Sequence, residues 1–278
     1  MAQSINTNVL SINAQRNLSG SQSAMQLAVQ RLSSGLRVNS SKDDAAGLAI
    51  AERMSSQVRG MNVAIRNAND AISMSQVADG ALGQLSDIAQ RMRELAVQSA
   101  NATNDTGDRG NLNTEYQELA KELSRTIDGA KFNGIQIIGA DAATMTFQVG
   151  ATTASEDKVD IATVDISSLS ELTDVASGAI ADVAGADAAM DDIDDLLNKI
   201  NEQRAIYGAV QNRFGSIIST LQVSVENQSA ARSRIMDADF AQETAALTRA
   251  QVLQQAGQAM LAQANSSTSS VLSLLQRL

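Results

Sequence analysis

The stretch "RAQVLQQAGQAMLAQANSSTSSVLSLLQRL", residues 249–278, ends the chain and decides how the rest is read. Most domains finish in a polar, frayed tail, yet Val271, Leu272, Leu274, Leu275 and Leu278 crowd the final positions. Ala250, Leu253, Gly257, Met260, Ala264, Ser267, Val271, Leu274 and Leu278 alternate steps of three and four, the seam of a coiled-coil-like helix. Covering the five large apolar side chains at the end contributes on the order of 10 kcal/mol. Something must bury them.

The opposite terminus repeats the pattern through Leu10, Ala14, Leu18, Ser21, Met25, Ala28 and Leu32. Two longer stripes lie between. One uses Ala51, Met54, Val58, Met61, Ile65, Ala68 and Ile72 and, after a slight rotation, Ala78, Leu82, Leu85, Ala89, Met92 and Ala96. A helix of that extent is roughly 85 Å long. Its counterpart runs from Ile193, Leu197, Ile200, Arg204 and Tyr207 through Phe214, Ile217 and Leu221 to Ile235, and a shorter stripe joins Leu112, Tyr116, Leu119, Leu123 and Ile127.

Turn chemistry separates these stripes. "LSSGLRVNSSKDDAAG", residues 32–47, breaks the first at Gly35 and restarts with Ser41 and Asp44 in capping-box spacing. "NATNDTGDRGN", 101–111, reads as a loop, and "DGAKFNGIQII" turns at Asn133 and Gly134. "TMTFQV" and "KVDIATVDIS" alternate as a strand pair, and Thr173 to Gly185 reads as a small-residue linker. The pattern predicts a mainly α fold: a long antiparallel coiled-coil-like helical bundle with a small β-hairpin element near 132–168.

Composition agrees and narrows function. With 44% hydrophobic but only 2% aromatic residues and no Pro, packing falls to Ala, Leu, Ile, Val and Met in uninterrupted helices. The absence of Cys and His excludes cysteine and Ser-His nucleophiles and ordinary zinc sites. No phosphate-loop or dinucleotide glycine pattern occurs, and no constellation suggests an enzyme. The acids Asp182, Asp187, Asp191, Asp192, Asp194 and Asp195 lack EF-hand spacing and read as a solvated face and helix N-terminal charge; no cofactor or metal is expected.

A net charge of −10 argues against nucleic-acid binding. The charge is unevenly placed: residues 1–41 and 238–278 together carry +3, whereas 42–237 carry 16 basic and 29 acidic residues. No charged leader with an apolar core opens the chain and no run long enough to span a membrane occurs, so any export is expected to use a route that does not cleave a signal. Two terminal helices facing only each other leave apolar surface uncovered, and short isolated helices are marginal in water. Other copies of the chain are the expected cover, joined by a head-to-tail contact that propagates as an open helical polymer.

"MAQSINTNVLSINAQRNL", "RLSSGLRVNSSKDDAAGLAIAERM", "QRMRELAVQSANATN", "FNGIQII", "FQVGA", "RAQVLQQAGQAMLAQAN" and "VLSLLQRL", in this order, resemble bacterial flagellin, the subunit of the flagellar filament. The resemblance runs from Met1 to Leu278 and is to a minimal form without large outer variable domains. It implies that residues 1–43 and 238–278 pair as an inner coiled coil, disordered before assembly, and that 44–237 form a rod-like middle domain. Leu10, Leu18, Met25, Leu32, Leu253, Met260, Val271, Leu274 and Leu278 would line the polymer's inner seam.

The same resemblance implies a secreted, non-enzymatic protein that serves swimming motility, exported unfolded and assembled at the filament tip. Its partners would be itself, an export chaperone at the C-terminal region, the filament cap and hook–filament junction proteins. Gln90, Arg91, Leu95, Gln98 and Glu115 match the contact set of the host's flagellin-sensing Toll-like receptor, and Leu272, Leu274 and Leu275 match leucines read by an inflammasome sensor. Both patches would be hidden in the filament. A junction protein of the same axial family, or a soluble coiled-coil scaffold, are the competing interpretations; the first diverges more in "RELAVQ" and "LLQRL".

Overall fold

The computed structural model describes residues 7–140, 142–163 and 165–275, with side chains described as far as Ser267. It divides into two compact units, Met1–Ser56 with Asn227–Leu278, and Gln57–Glu226. Both divisions fall inside long helices, α2 (Ala45–Ala100) and α5 (Val183–Met236), which contribute to each unit.

The first unit pairs α1 (Val9–Ser34) antiparallel with α6 (Phe240–Leu275). Asn8 Nδ2 donates to the Ala264 carbonyl at 2.9 Å, Gly257 lies against Leu18, and Arg31 Nη1 meets Glu243 Oε1 at 2.9 Å. Helix α1 starts where the Asn8 side chain accepts from the Ser11 N–H, and stops at Gly35, whose φ of 71° suits a residue without Cβ. The segments beyond α1 and α5 then join: the Arg37 N–H donates to Met236 O at 2.7 Å and the Ala238 N–H to Gly35 O at 2.9 Å. Val38, Ala51 and Met236 form a small core there, flanked by Leu36, Leu48 and Ile235. Asp44 alone caps α2, accepting from the Gly47 N–H at 2.8 Å, while Asp43 gathers the N–H groups of Asn39 and Ser40. The Ser41–Asp44 capping box predicted from spacing does not form.

The second unit packs α2, α3 (Thr106–Gly129) and α5 around one core. On α2 the buried stripe is Ala68, Ala71, Met74, Ala78, Leu82, Leu85, Ala89, Met92, Leu95 and Ala96, close to the sequence stripe. Its many alanines let the helices approach closely. Helix α3 begins at Thr106, inside the predicted loop, because Asp105 and Asp108 make the reciprocal side-chain bonds of a capping box. On α5, Ile193, Ile200, Tyr207 and Phe214 of the predicted seam are buried, but Leu196 and Gln203 are buried beside Leu197 and Arg204, and Arg204 turns outward to Asp79 at 2.9 Å.

Two antiparallel hairpins complete this unit. β1 (Lys131–Phe132) pairs with β2 (Ile135–Gln136) around Asn133 and Gly134, at φ 50° and 83°, the positive-φ pair a two-residue loop requires. β3 (Met145–Gln148) pairs with β4 (Lys158–Ile161), burying Val159 and Ile161 while Lys158 and Asp160 face out. The Phe147 ring meets Phe214 of α5 edge-on at 5.9 Å. Tyr116 donates to the Val175 carbonyl at 3.1 Å, and burial pushes its phenol and that of Tyr207 up to about 12. The segment read as a linker is more ordered than its composition suggests. Leu172 and Val175 of α4 (Ser170–Ser177) and the following Ile180 are all buried.

Candidate assembly and recognition surfaces

Pairing α1 with α6 buries small residues and leaves large ones outside. Ser11, Ala28, Ala250 and Ala264 are the buried positions of the pair, and Leu18, Met25 and Leu32 are half-buried against it. Leu10 is 68% exposed, Leu253 51% and Met260 63%. The seam facing α1 uses Gln254 and Leu261, both half-buried, where the sequence stripe has Leu253 and Met260. Val9, Ile12, Leu27, Val29, Phe240 and Val252 are exposed as well, apolar surface outside the single stripe that the sequence reading follows. Adjacent apolar pairs such as Val252–Leu253 are its only signal. The side chains of Val271, Leu272, Leu274, Leu275 and Leu278 lie outside the described part of the chain.

An ion pair locks the other end of this helix pair. Arg31 and Glu243 are 26% and 13% exposed at the side chain, and the buried Arg31 Nε has no hydrogen-bond partner among the described residues. Removing one member would leave a largely desolvated charge.

On the second unit, α2 and α3 present the other predicted residues. Gln90, Arg91, Gln98 and Glu115 are exposed. The Arg91 guanidinium bridges the two helices, with Nη2 at 2.8 Å and Nε at 3.1 Å from Glu115 Oε1, and Nη1 at 2.9 Å from Glu94. Glu115 first, then Glu94, hold its proton more tightly than usual. Leu95 is 1% exposed and packs in the core, so it supports this surface from beneath and presents nothing to a partner. Beside Arg91, a hollow of about 490 Å³ is lined by Gln90, Arg93, Glu94, Val97 and Gln98. Arg93 closes one side through a bidentate bond to Asp194 of α5, at 2.6 and 3.0 Å, which holds the Asp194 carboxyl below the usual carboxylate range.

The aspartates near the start of α5 divide by role. Asp182 accepts from the Gly185 N–H at 2.6 Å and so caps the helix, and Asp194 belongs to Arg93. Among the described residues no group of three acidic side chains is placed to hold a metal ion, and no helix is long and apolar enough to cross a membrane.

Long antiparallel helices with large apolar side chains left exposed on the α1–α6 pair define a mainly α, coiled-coil-like helical protein. Comparison with known proteins gives the family. The bacterial flagellin N-terminal helical region matches residues 5–142 and the C-terminal helical region matches residues 190–275. The chain is 44% identical over 272 residues to a flagellin of Halalkalibacterium halodurans, covering 98% of this chain and 99% of the relative. It is 39% identical over 302 residues to a flagellin of Bacillus subtilis, with 98% and 99% covered. Bacillus cereus flagellin superposes with a TM-score of 0.51 at 31% identity, over 60% of this chain and 94% of that one. A hook-associated protein of Vibrio parahaemolyticus, at 12% identity and a TM-score of 0.58, shares the fold over 70% of this chain and all of that one. The chain belongs to the bacterial flagellin family, as a short form with no large outer domain, and is a structural subunit of the flagellar filament.

Proposed function

We propose that the chain is exported unfolded and polymerises at the filament tip, residues 1–43 and 238–278 of many copies packing together inside while 44–237 form the middle domain. One observation carries this reading: the α1–α6 pair spends its own interface on Ala and Ser and leaves Leu10, Val252, Leu253 and Met260 in water. Exposed apolar side chains of that size, this many on one helix pair, suit an interaction surface, and identical copies are the cover that a filament supplies. An export chaperone for the C-terminal region, the filament cap and the junction proteins are the further partners of this route, which ends outside the cell.

Leu253→Asp tests it. The side chain is exposed in the single chain, so circular dichroism and melting of the variant should match the parent. Assembly should fail, because the polymer would bury an unpaired carboxylate. Filaments forming normally in salt, seen by electron microscopy, would rule the packing out.

The surface around Arg91 supports a second element of this reading, recognition of free subunits by the host Toll-like receptor through Gln90, Arg91, Gln98 and Glu115, with Leu95 beneath them. Arg91→Glu should keep the fold and lose receptor stimulation by monomer. Full stimulation by that variant would remove Arg91 from the contact set. Recognition of Leu272, Leu274 and Leu275 by the inflammasome sensor is tested in parallel by replacing all three with Ala.

A further inference from the structure

Of the 18 asparagines in the chain, only Asn133 is followed by glycine. The structure sets this pair at the tip of the β1–β2 hairpin, with both residues exposed. Among the described residues no hydrogen bond holds the Asn133 side chain or the Gly134 N–H. A Cβ at Gly134 would meet nothing, so no distant side chain or backbone crowds the turn. From this geometry we propose that Asn133–Gly134 is a spontaneous deamidation site whose rate is set by opening of the β1–β2 hairpin.

The chemistry needs no co-reactant except hydroxide and water. Hydroxide removes the Gly134 amide proton. The nitrogen attacks Asn133 Cγ, a bond forms between them, the Cγ–Nδ2 bond breaks, and ammonia leaves with a proton from solvent. Water then opens the five-membered imide at either carbonyl, giving aspartate or isoaspartate. No oxidation occurs, and the net change is NH2 replaced by OH.

The closed turn opposes the first step. Ring closure requires the peptide between the two residues to rotate, and a two-residue loop with both φ values positive fixes that peptide. The gate is weak, however. Only two residue pairs, Lys131↔Gln136 and Phe132↔Ile135, close the hairpin, and so short a ribbon opens locally at low cost.

The isoaspartyl product is the consequential one. It routes the main chain through the side-chain carbon and adds a methylene to the loop, so the turn no longer matches its strands. The residues just past the turn are structural. Ile137 and Ile138 are buried, the Ile137 N–H donates to Ala130 O at 3.1 Å, and Ile138 O accepts from the Ile166 N–H at 3.0 Å. Modification of an exposed turn thereby loosens the core of the second unit.

The full chain, incubated at mildly alkaline pH in buffer and in urea and then digested with trypsin, tests this directly. The peptide Phe132–Lys158 contains no other asparagine. Isoaspartate in it, detected by mass and by isoaspartate-specific methyltransferase labelling, should accumulate in both samples and roughly tenfold or more slowly in the folded one. Asn133→Gln, which must close a larger ring, should abolish the signal, and separated isoaspartyl protein should unfold at lower urea than the parent. No isoaspartate in the urea sample would overturn the site. Equal rates in the two samples would overturn the gate, and an unchanged urea midpoint would overturn the structural consequence.

Discussion

Asp192 and Asp194 sit two residues apart on α5 with carboxyls driven in opposite directions. Desolvation first, then the charges of Asp174, Asp191 and Asp195, raise Asp192 above the ordinary 3.8, whereas the Arg93 hydrogen bonds lower Asp194. A raised folded-state value means that Asp192 favours folding only while protonated, an advantage lost as pH rises through that value. Asp194 contributes stability above its unfolded value that disappears as pH falls through the lowered one. At pH 7, Asp192→Asn should therefore raise Tm by about 1–2 °C. Asp194→Asn should lose about 0.5 kcal/mol, since the pair with Arg93 is half-exposed and screened. Melting curves repeated near pH 3, at about which carboxylates of ordinary pKa are mostly neutral, should bring Asp192→Asn close to the parent, while the Asp194→Asn difference should fade only at lower pH, below the lowered Asp194 value. An Asp192→Asn protein less stable than the parent at pH 7 would contradict the crowding of charge at this site.

At the scale of elements, caps and phase decide where helices begin and which way they face. Asp105 accepts from the Asp108 N–H at 2.8 Å, so Asp105→Ala should cost about 1 kcal/mol, read as a shift in the urea midpoint at unchanged m-value. The long helices are legible in the sequence because their apolar stripes persist for many turns, and the β1–β2 turn because Asn-Gly has few conformational alternatives. Phase is less legible. Leu196 and Leu197 satisfy a three-and-four spacing equally well, and only the facing helix selects Leu196 for burial, as it selects Gln254 over Leu253 on α6. Spacing alone puts Arg204 on a seam, yet a charged group goes where Asp79 and water can reach it, and Gln203 takes the buried position instead. Helix α4 is hidden from periodicity because eight residues hold too little of it to outweigh the small side chains around them. The Arg91–Glu115 bridge exists only once α2 and α3 lie side by side, for nothing in the sequence separation of the two residues announces it.

For the molecule as a whole, the two units rest on different kinds of packing. The second encloses Tyr116, Tyr207, Phe214, Met74, Met92 and many Leu and Ile side chains at essentially zero exposure. The first holds its helix pair through Ala28, Ala250 and Ala264, with a core of three residues, Val38, Ala51 and Met236, where the connecting segments meet. Apolar stabilisation scales with the area removed from water, so α1 and α6 gain far less from folding than α2, α3 and α5 do, and their pair should open at low free energy. Protease added to monomer should accordingly trim roughly forty residues from each end first, following the exposed and weakly packed helices. A resistant fragment containing Gln57–Glu226 should remain. On the proposed packing, neighbouring copies would cover Leu10, Leu253 and Met260 in the polymer, the opening equilibrium would shift by mass action, and the same sites should become resistant. Mass spectrometry of the fragments at matched protein concentration distinguishes the two states, and equal resistance of the termini in monomer and filament would show that the uncovered face is not what assembly completes.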